Sequence, residues 1–240
     1  MSTYVIVHGA WHAGDLMEET AKGIRTLGHE VYTPTLAGNR PGDSKSTGLG
    51  DAIQSLVSYF EEHKITDAVL VGHSYGGMVI TGAADRLAQG KIRRLVYWSA
   101  FVPVSGESLF DLVPPMFAEL FDQLTDEDGA VQLPFPIWRE SFINDADADL
   151  AQSAYDALNP HPVKTMKDKI QLKTDPAQME IGKSYLQCLA DTAMPASQPW
   201  HPGQSEKLGL YRLVQMPGSH EVCFTNPKLL AEKIVEAGRD

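Results

Sequence analysis

Cysteine is scarce in this chain. The two present in 240 residues, Cys188 and Cys223, cannot make a disulfide framework and lack zinc-finger spacing. Such usage fits a reducing compartment, so a cytoplasmic protein is expected. Basic residues are also few: 20 Lys+Arg stand against 31 Asp+Glu, for a net charge of −11. Binding nucleic acid needs a basic face for the phosphates, and docking on anionic lipid needs a basic surface, so neither partner is expected. The acidity serves solubility. No stretch approaches the roughly 18 consecutive apolar residues of a membrane span. The N-terminus enters an apolar run at Tyr4 with no basic segment before it, so no signal peptide is expected. Solenoid-period repeats and low-complexity tracts are missing as well.

What remains is ordinary globular composition, 43% hydrophobic and 21% charged, which excludes wholesale disorder. At roughly 150 residues per domain the length allows one large domain or two small ones. It is long enough to bury a core without disulfides or metals.

Apolar periodicity alternates between strand and helix character. Tyr4–Val7, Val31–Thr33, Ala68–Val71 and Ile92–Trp98 read as strands. Leu16–Leu27, Asp51–Lys64 and Ser74–Gln89 read as helices, and Leu36–Gly50 as a loop. That rhythm implies an α/β fold with a mostly parallel sheet of about six strands flanked by helices. It stops after Ala100. From about 104 to 182 no strand stands out, prolines recur, and Phe110, Phe117, Phe121, Phe135, Trp138 and Phe142 gather. This stretch reads as a mostly helical insertion, too Pro-broken for a coiled coil and too apolar for a linker. The rhythm returns with strands Tyr185–Leu189 and Tyr211–Gln215, a short helix near Gly203–Lys207 and a last helix Pro227–Ala237. Asn226 is its expected N-cap, with Pro227 at the first helical position. The domain expectation is therefore a core of residues 1–103 and 183–240, interrupted by a helical insertion of 104–182 that does not fold alone.

The sharpest local feature is Gly72-His73-Ser74-Tyr75-Gly76-Gly77. It fits G-x-S-x-G between a strand and a helix, where a serine on a strained turn needs neighbours without a Cβ. The pattern alone is weak, with about 0.1 chance matches in a chain this long; its strand–turn–helix setting gives it weight. A serine is a poor nucleophile until a base takes its proton. With this turn the chain order is Ser, acid, His. Of the histidines after Ser74, His161 lies between two prolines in the insertion and His201 precedes Pro202. His220 instead follows the last strand, at the sheet edge where parallel sheets bind ligands. His220 is the expected base. Asp191 follows the preceding strand and is the expected acid, because the loop after Ile92–Trp98 offers no carboxylate before Glu107. The expected oxyanion donors are the backbone amides of Tyr75 and Ala10, with Gly9 allowing close approach. Trp11 and His12, beside that hole, are expected to line the substrate pocket. His8 and His73 are expected to satisfy buried hydrogen bonds.

Together these residues resemble the α/β-hydrolase superfamily, most of all the group of plant methyl esterases, plant hydroxynitrile lyases and their bacterial relatives. The resemblance spans nearly the whole chain. It rests on Val5-Ile6-Val7-His8-Gly9-Ala10-Trp11-His12-Ala13-Gly14, the Ser74 turn, Tyr185-Leu186-Gln187-Cys188-Leu189-Ala190-Asp191 and Pro217-Gly218-Ser219-His220. It implies a triad of Ser74, Asp191 and His220, an oxyanion hole at Ala10 and Tyr75, and an insertion that caps the site. Relatives in this group are often dimeric, so a homodimer is one option. The lyases of the group carry cysteine after the serine and lysine after the histidine; here Tyr75 and Glu221 stand there. A carboxylate at Glu221 would repel cyanide. The expected activity is hydrolysis of a small, largely apolar carboxylic ester or lactone, needing no cofactor or metal. The competing readings are cleavage of a C–C bond or a cyanohydrin on the same fold, and a small-ligand receptor with weak turnover.

Overall fold

A computed structural model describes residues 1–240. Six parallel strands form one sheet: β1 (Thr3–Val7), β2 (Glu30–Tyr32), β3 (Ala68–His73), β4 (Ile92–Trp98), β7 (Gly182–Cys188) and β8 (Arg212–Met216). Their order across the sheet is β2-β1-β3-β4-β7-β8. Strand alternation sorts the side chains. Val5, Val7, Leu70, Leu95 and Tyr97 point to one face, and Tyr4, Ile6, Val69, Val71 and Val96 to the other. The two faces fill two apolar clusters. The smaller packs under α1 (Glu18–Thr26), the short α9 (Val222–Thr225) and α10 (Pro227–Ala237). The larger packs under α2 (Leu49–Glu62) and α3 (Gly76–Arg86) and continues without a break into the insertion, through Leu112, Phe121, Leu133 and Trp138. Burying both faces is what makes a central strand such as Ala68–His73 apolar throughout.

Element ends follow local chemistry. The helix expected from Ser74 starts at Gly76, because Ser74 has φ +53°, outside helical space. The first helix begins as a tight 3-10 turn, Gly14–Met17, before α1. Asn226 caps α10 as expected, its side chain accepting the Leu229 N–H at 3.2 Å.

Between β4 and β7 run α4 (Leu109–Leu112), α5 (Pro115–Gln123), α6 (Phe135–Phe142), α7 (Ala148–Asp156) and α8 (Val163–Lys167). The prolines that break this region also start its helices, for α5 and α6 each carry proline in their first two positions. One expectation needs correcting: the insertion does contain strands. β5 (Ala130–Val131) and β6 (His161–Pro162) pair antiparallel, two residues each. Such a short ribbon leaves no period-2 signal in a sequence. Polar ties hold the insertion to the sheet domain. Asp168 accepts the Leu49 N–H at 3.1 Å, and Asp85 accepts the N–H groups of Lys173 and Thr174, both at 3.0 Å.

Candidate active site

Ser74 sits where β3 turns into α3. Its backbone is tied on both sides: its N–H donates to Trp98 O at 3.2 Å, and its carbonyl accepts from Gly77 N at 3.0 Å and Phe101 N at 3.2 Å. The left-handed φ of +53° is a strain that these bonds hold in place. Glycine is required beside it. A Cβ on Gly77 would come within 2.1 Å of the Phe101 carbonyl oxygen, and one on Gly9 would meet the His73 ring at 3.0 Å and Ser74 Cβ at 3.1 Å.

The loop after β8 carries His220, and the loop after β7 carries Asp191. His220 Nδ1 lies 2.6 Å from Asp191 Oδ2, and both side chains are 1% exposed. The other Asp191 oxygen accepts the Ala193 N–H at 2.9 Å. With Nδ1–H donating to the carboxylate, the tautomer leaves Nε2 as an acceptor. That nitrogen is buried and has no protein partner. The ring is gripped by aromatic groups: Trp200 stacks on it at 5.3 Å and 13°, Phe142 meets it edge-on at 5.3 Å, and His73 lies 4.5 Å away. His73 Nε2 donates to the His220 carbonyl at 3.0 Å, and Asp145 accepts the Ser219 N–H at 2.9 Å.

The backbone amides of Ala10 and Tyr75 donate to no protein acceptor. They lie on the two loops that meet where Gly9 approaches Ser74. Ala10, Ser74 and Tyr75 all line one pocket, and 16 of its 18 lining residues are hydrophobic. Ser74 and Ser141 are the two lining residues that are not hydrophobic, and no charged group is present. Trp11, Phe101, Phe121, Phe142 and Trp200 contribute aromatic surface.

The structure thus places Ser74, Ala10, Tyr75 and Trp11 on one pocket and pairs His220 with Asp191 behind the pocket-lining Phe142 and Trp200. His12 is different, and the expectation that it lines the pocket is corrected. Its Nδ1 is 2.7 Å from Ala10 O and its Nε2 is 2.9 Å from Glu221 Oε2, so the ring is turned away from the cavity. The same contact revises the place of Glu221, whose buried carboxylate faces His12 and not the pocket. Its charge therefore does not bear directly on an anion held there. Burial opposes charge on His12, but the Glu221 carboxylate and the hydrogen bonds outweigh it and raise its pKa. Burial pulls His8 down to about 4 and carries His73 and His161 well below the usual imidazole range. His8 and His73 do satisfy buried hydrogen bonds, to Gly9 O (2.8 Å) and His220 O (3.0 Å).

His12, Glu221 and Cys223 carry metal-ligating atoms within 4.8 Å of one another. Those atoms are engaged among themselves, the Cys223 thiol donating to Glu221 Oε2 at 3.6 Å. Sequence reasoning missed Trp200, Asp145 and Ser141. None sits in a motif, and each acquires its place only when segments distant in sequence meet.

The fold and this constellation define a class. The chain belongs to the alpha/beta hydrolase family, whose sequence pattern matches residues 4–233. It is 34% identical to the carbendazim hydrolyzing esterase of Nocardioides sp., over 99% of this chain and 100% of that protein. It is 24% identical to Methylesterase 18 of Arabidopsis thaliana, over 98% and 96% of the two chains. Among solved structures it is similar to an extracellular alpha/beta-hydrolase from a Paenibacillus species, described as sharing structural and functional homology with tobacco Salicylic Acid Binding Protein 2. That match has TM-score 0.96 and 36% identity and covers 100% of both chains. No helix of the protein is long and apolar enough to cross a membrane.

Proposed function

We propose that the protein is a serine hydrolase that cleaves a small, neutral, largely apolar carboxylic ester or lactone through an acyl-enzyme on Ser74. The observation that carries this reading is the His220 ring, fixed by Asp191 at 2.6 Å with its Nε2 free, and packed on Phe142 and Trp200, which line the same pocket as Ser74 and two unused backbone N–H groups. His220 Nε2 takes the Ser74 proton as Oγ attacks the carbonyl carbon. The Ala10 and Tyr75 amides receive the negative charge that grows on the carbonyl oxygen. When the C–O bond breaks, His220 gives its proton to the leaving alcohol. Water, deprotonated by the same nitrogen, then attacks the acyl carbon and releases the acid and Ser74. Asp191 holds the tautomer and stabilises the imidazolium.

The lining supports the substrate class. A pocket without a charged group gives a carboxylate or ammonium substituent no partner, and burying one unpaired is costly. The esterase relative from Nocardioides supports hydrolysis of this kind of bond. In this reading residues 104–182 form the cap over a core of 1–103 and 183–240, since α4, α5 and α6 supply much of the pocket wall. The buried thiols, free of any disulfide, suit a cytoplasmic setting. Ser74→Ala is the direct test against a panel of aryl and alkyl esters. Turnover is expected to fall by about 10⁴-fold or more, and fluorophosphonate labelling to vanish. Undiminished hydrolysis by that variant would sink the proposal.

A further inference from the structure

Ala10 joins two peptide planes, and a buried histidine holds each one. The plane that contains this N–H also contains the Gly9 carbonyl, which accepts from His8 Nδ1 at 2.8 Å. His8 Nε2 in turn accepts the Leu36 N–H at 3.1 Å, so its tautomer is set. The next plane contains the Ala10 carbonyl, 2.7 Å from His12 Nδ1. A carbonyl oxygen only accepts, so His12 Nδ1 must carry a proton. The other ring nitrogen faces Glu221 Oε2 at 2.9 Å. Two lone pairs cannot meet at that distance, so a proton also lies between His12 Nε2 and the carboxylate. Both side chains are 1% exposed. Glu221 directly follows His220, and its own N–H donates to Phe142 O at 3.1 Å. The His12 ring is further held between His73 (5.8 Å, edge-on) and Phe224 (5.9 Å).

We propose that His12 and Glu221 are positioning residues. Through the chain Ala10 C=O, His12, Glu221 they tie the oxyanion loop to the loop that carries His220, so that donor and base hold one register. A buried ionic contact is costly to desolvate, and an apolar pair of the same volume would pack there without that cost. Its value here is geometric. A donor must lie within hydrogen-bond distance of the oxyanion, and a displacement near 1 Å costs about 10²-fold in rate. The inference rests on the proposed serine hydrolase reading, because it assigns Ala10 as an oxyanion donor.

The test uses the full chain with p-nitrophenyl butyrate as substrate and a trifluoromethyl ketone as a mimic of the tetrahedral intermediate. Active sites are counted by end-point fluorophosphonate labelling. Glu221→Leu is expected to lower kcat by about 10- to 100-fold with KM nearly unchanged, and to weaken the ketone in parallel. Glu221→Gln is expected to recover most of the rate, because its amide N–H donates to His12 Nε2 and preserves the ring's orientation. A merely structural role would not give that split or that rescue. If the lone Leu variant fails to fold, the double variant His12→Leu with Glu221→Leu removes the buried carboxylate and the imidazole together, and the same loss of kcat is expected. A folded Leu variant or double variant with kcat within twofold of the parent overturns the inference, as does a change confined to KM. Loss of activity in Ser74→Ala alongside such a result would leave the hydrolase reading intact. Persistence of activity in Ser74→Ala overturns both.

Discussion

Below Ser74 the pocket rests on buried polar side chains: His8, His12, His73, His220, Asp191 and Glu221. Each is fixed by at least one hydrogen bond, most of them between 2.6 and 3.0 Å. Above it stand Leu109, Val113, Phe117, Leu120, Phe121 and Ile137, with no polar atom among their side chains. The floor is specified by direction. A donor has one acceptor, and a tautomer follows from its neighbour. The roof is specified by volume, and hydrophobic contacts tolerate exchange if shape is kept. In the proposed hydrolase, one half of the site sets what reaction is done, and the other sets which substrate is admitted.

The largest expected break in that contrast comes from the floor. Asp191→Asn keeps the volume but allows the wrong His220 tautomer, and kcat should fall by about 10³- to 10⁴-fold with KM little changed. Steady-state kinetics on a neutral aryl ester would show it; a rise in KM alone would contradict the floor's role. Next comes acid. Burial holds the folded pKa of His8 at about 4, against 6.5 for a free imidazole. Between those values the unfolded chain binds a proton that the folded chain refuses. Stability is thus whole above pH 6.5 and is lost as pH falls towards 4, by about 3 kcal/mol for His8 alone. His73 and His161 shift in the same direction. His12 opposes them: its raised pKa gives stability that is full below 6.5 and fades as pH rises through the raised value. Three buried imidazoles against one predict a Tm that drops between pH 7 and pH 5, measurable by thermal unfolding. A Tm that holds or rises over that range would count against neutral buried imidazoles. The smallest effect belongs to the roof. Phe121→Ala should raise KM for a bulky apolar ester by about 10-fold while kcat changes only a few-fold, and should favour larger acyl groups.

The same contrast explains what was legible in the sequence. The floor could be read because its residues sit on short signals: glycines flanking Ser74, Asp191 just past one strand, His220 just past the next. Six parallel strands followed from period and length. His12 was misplaced because neighbourhood in sequence does not give direction. The ring lies two residues from the Ala10 amide yet points the other way, towards a carboxylate more than two hundred positions on. Glu221 was judged by its charge, without knowledge of the histidine that absorbs it. The roof could be read only as an aromatic, Pro-broken insertion. Phe117, Phe121 and Phe142 reach the pocket, whereas Phe135 and Trp138 pack on Tyr155. No periodicity separates those two groups, because the helices are short and their orientation is set by the sheet beneath.

The larger apolar cluster runs from the sheet through the insertion as one body, with Trp11, Phe101 and Tyr75 on one side and Phe121, Leu133 and Trp138 on the other. For anyone wishing to alter the substrate range, this means the roof is not a cassette. Transplanting the whole segment from a relative would import an underside moulded to a different floor, and the seam would have to be recut on both sides. Single exchanges at side chains that see only the cavity leave the seam untouched, so new specificities should be reached one residue at a time.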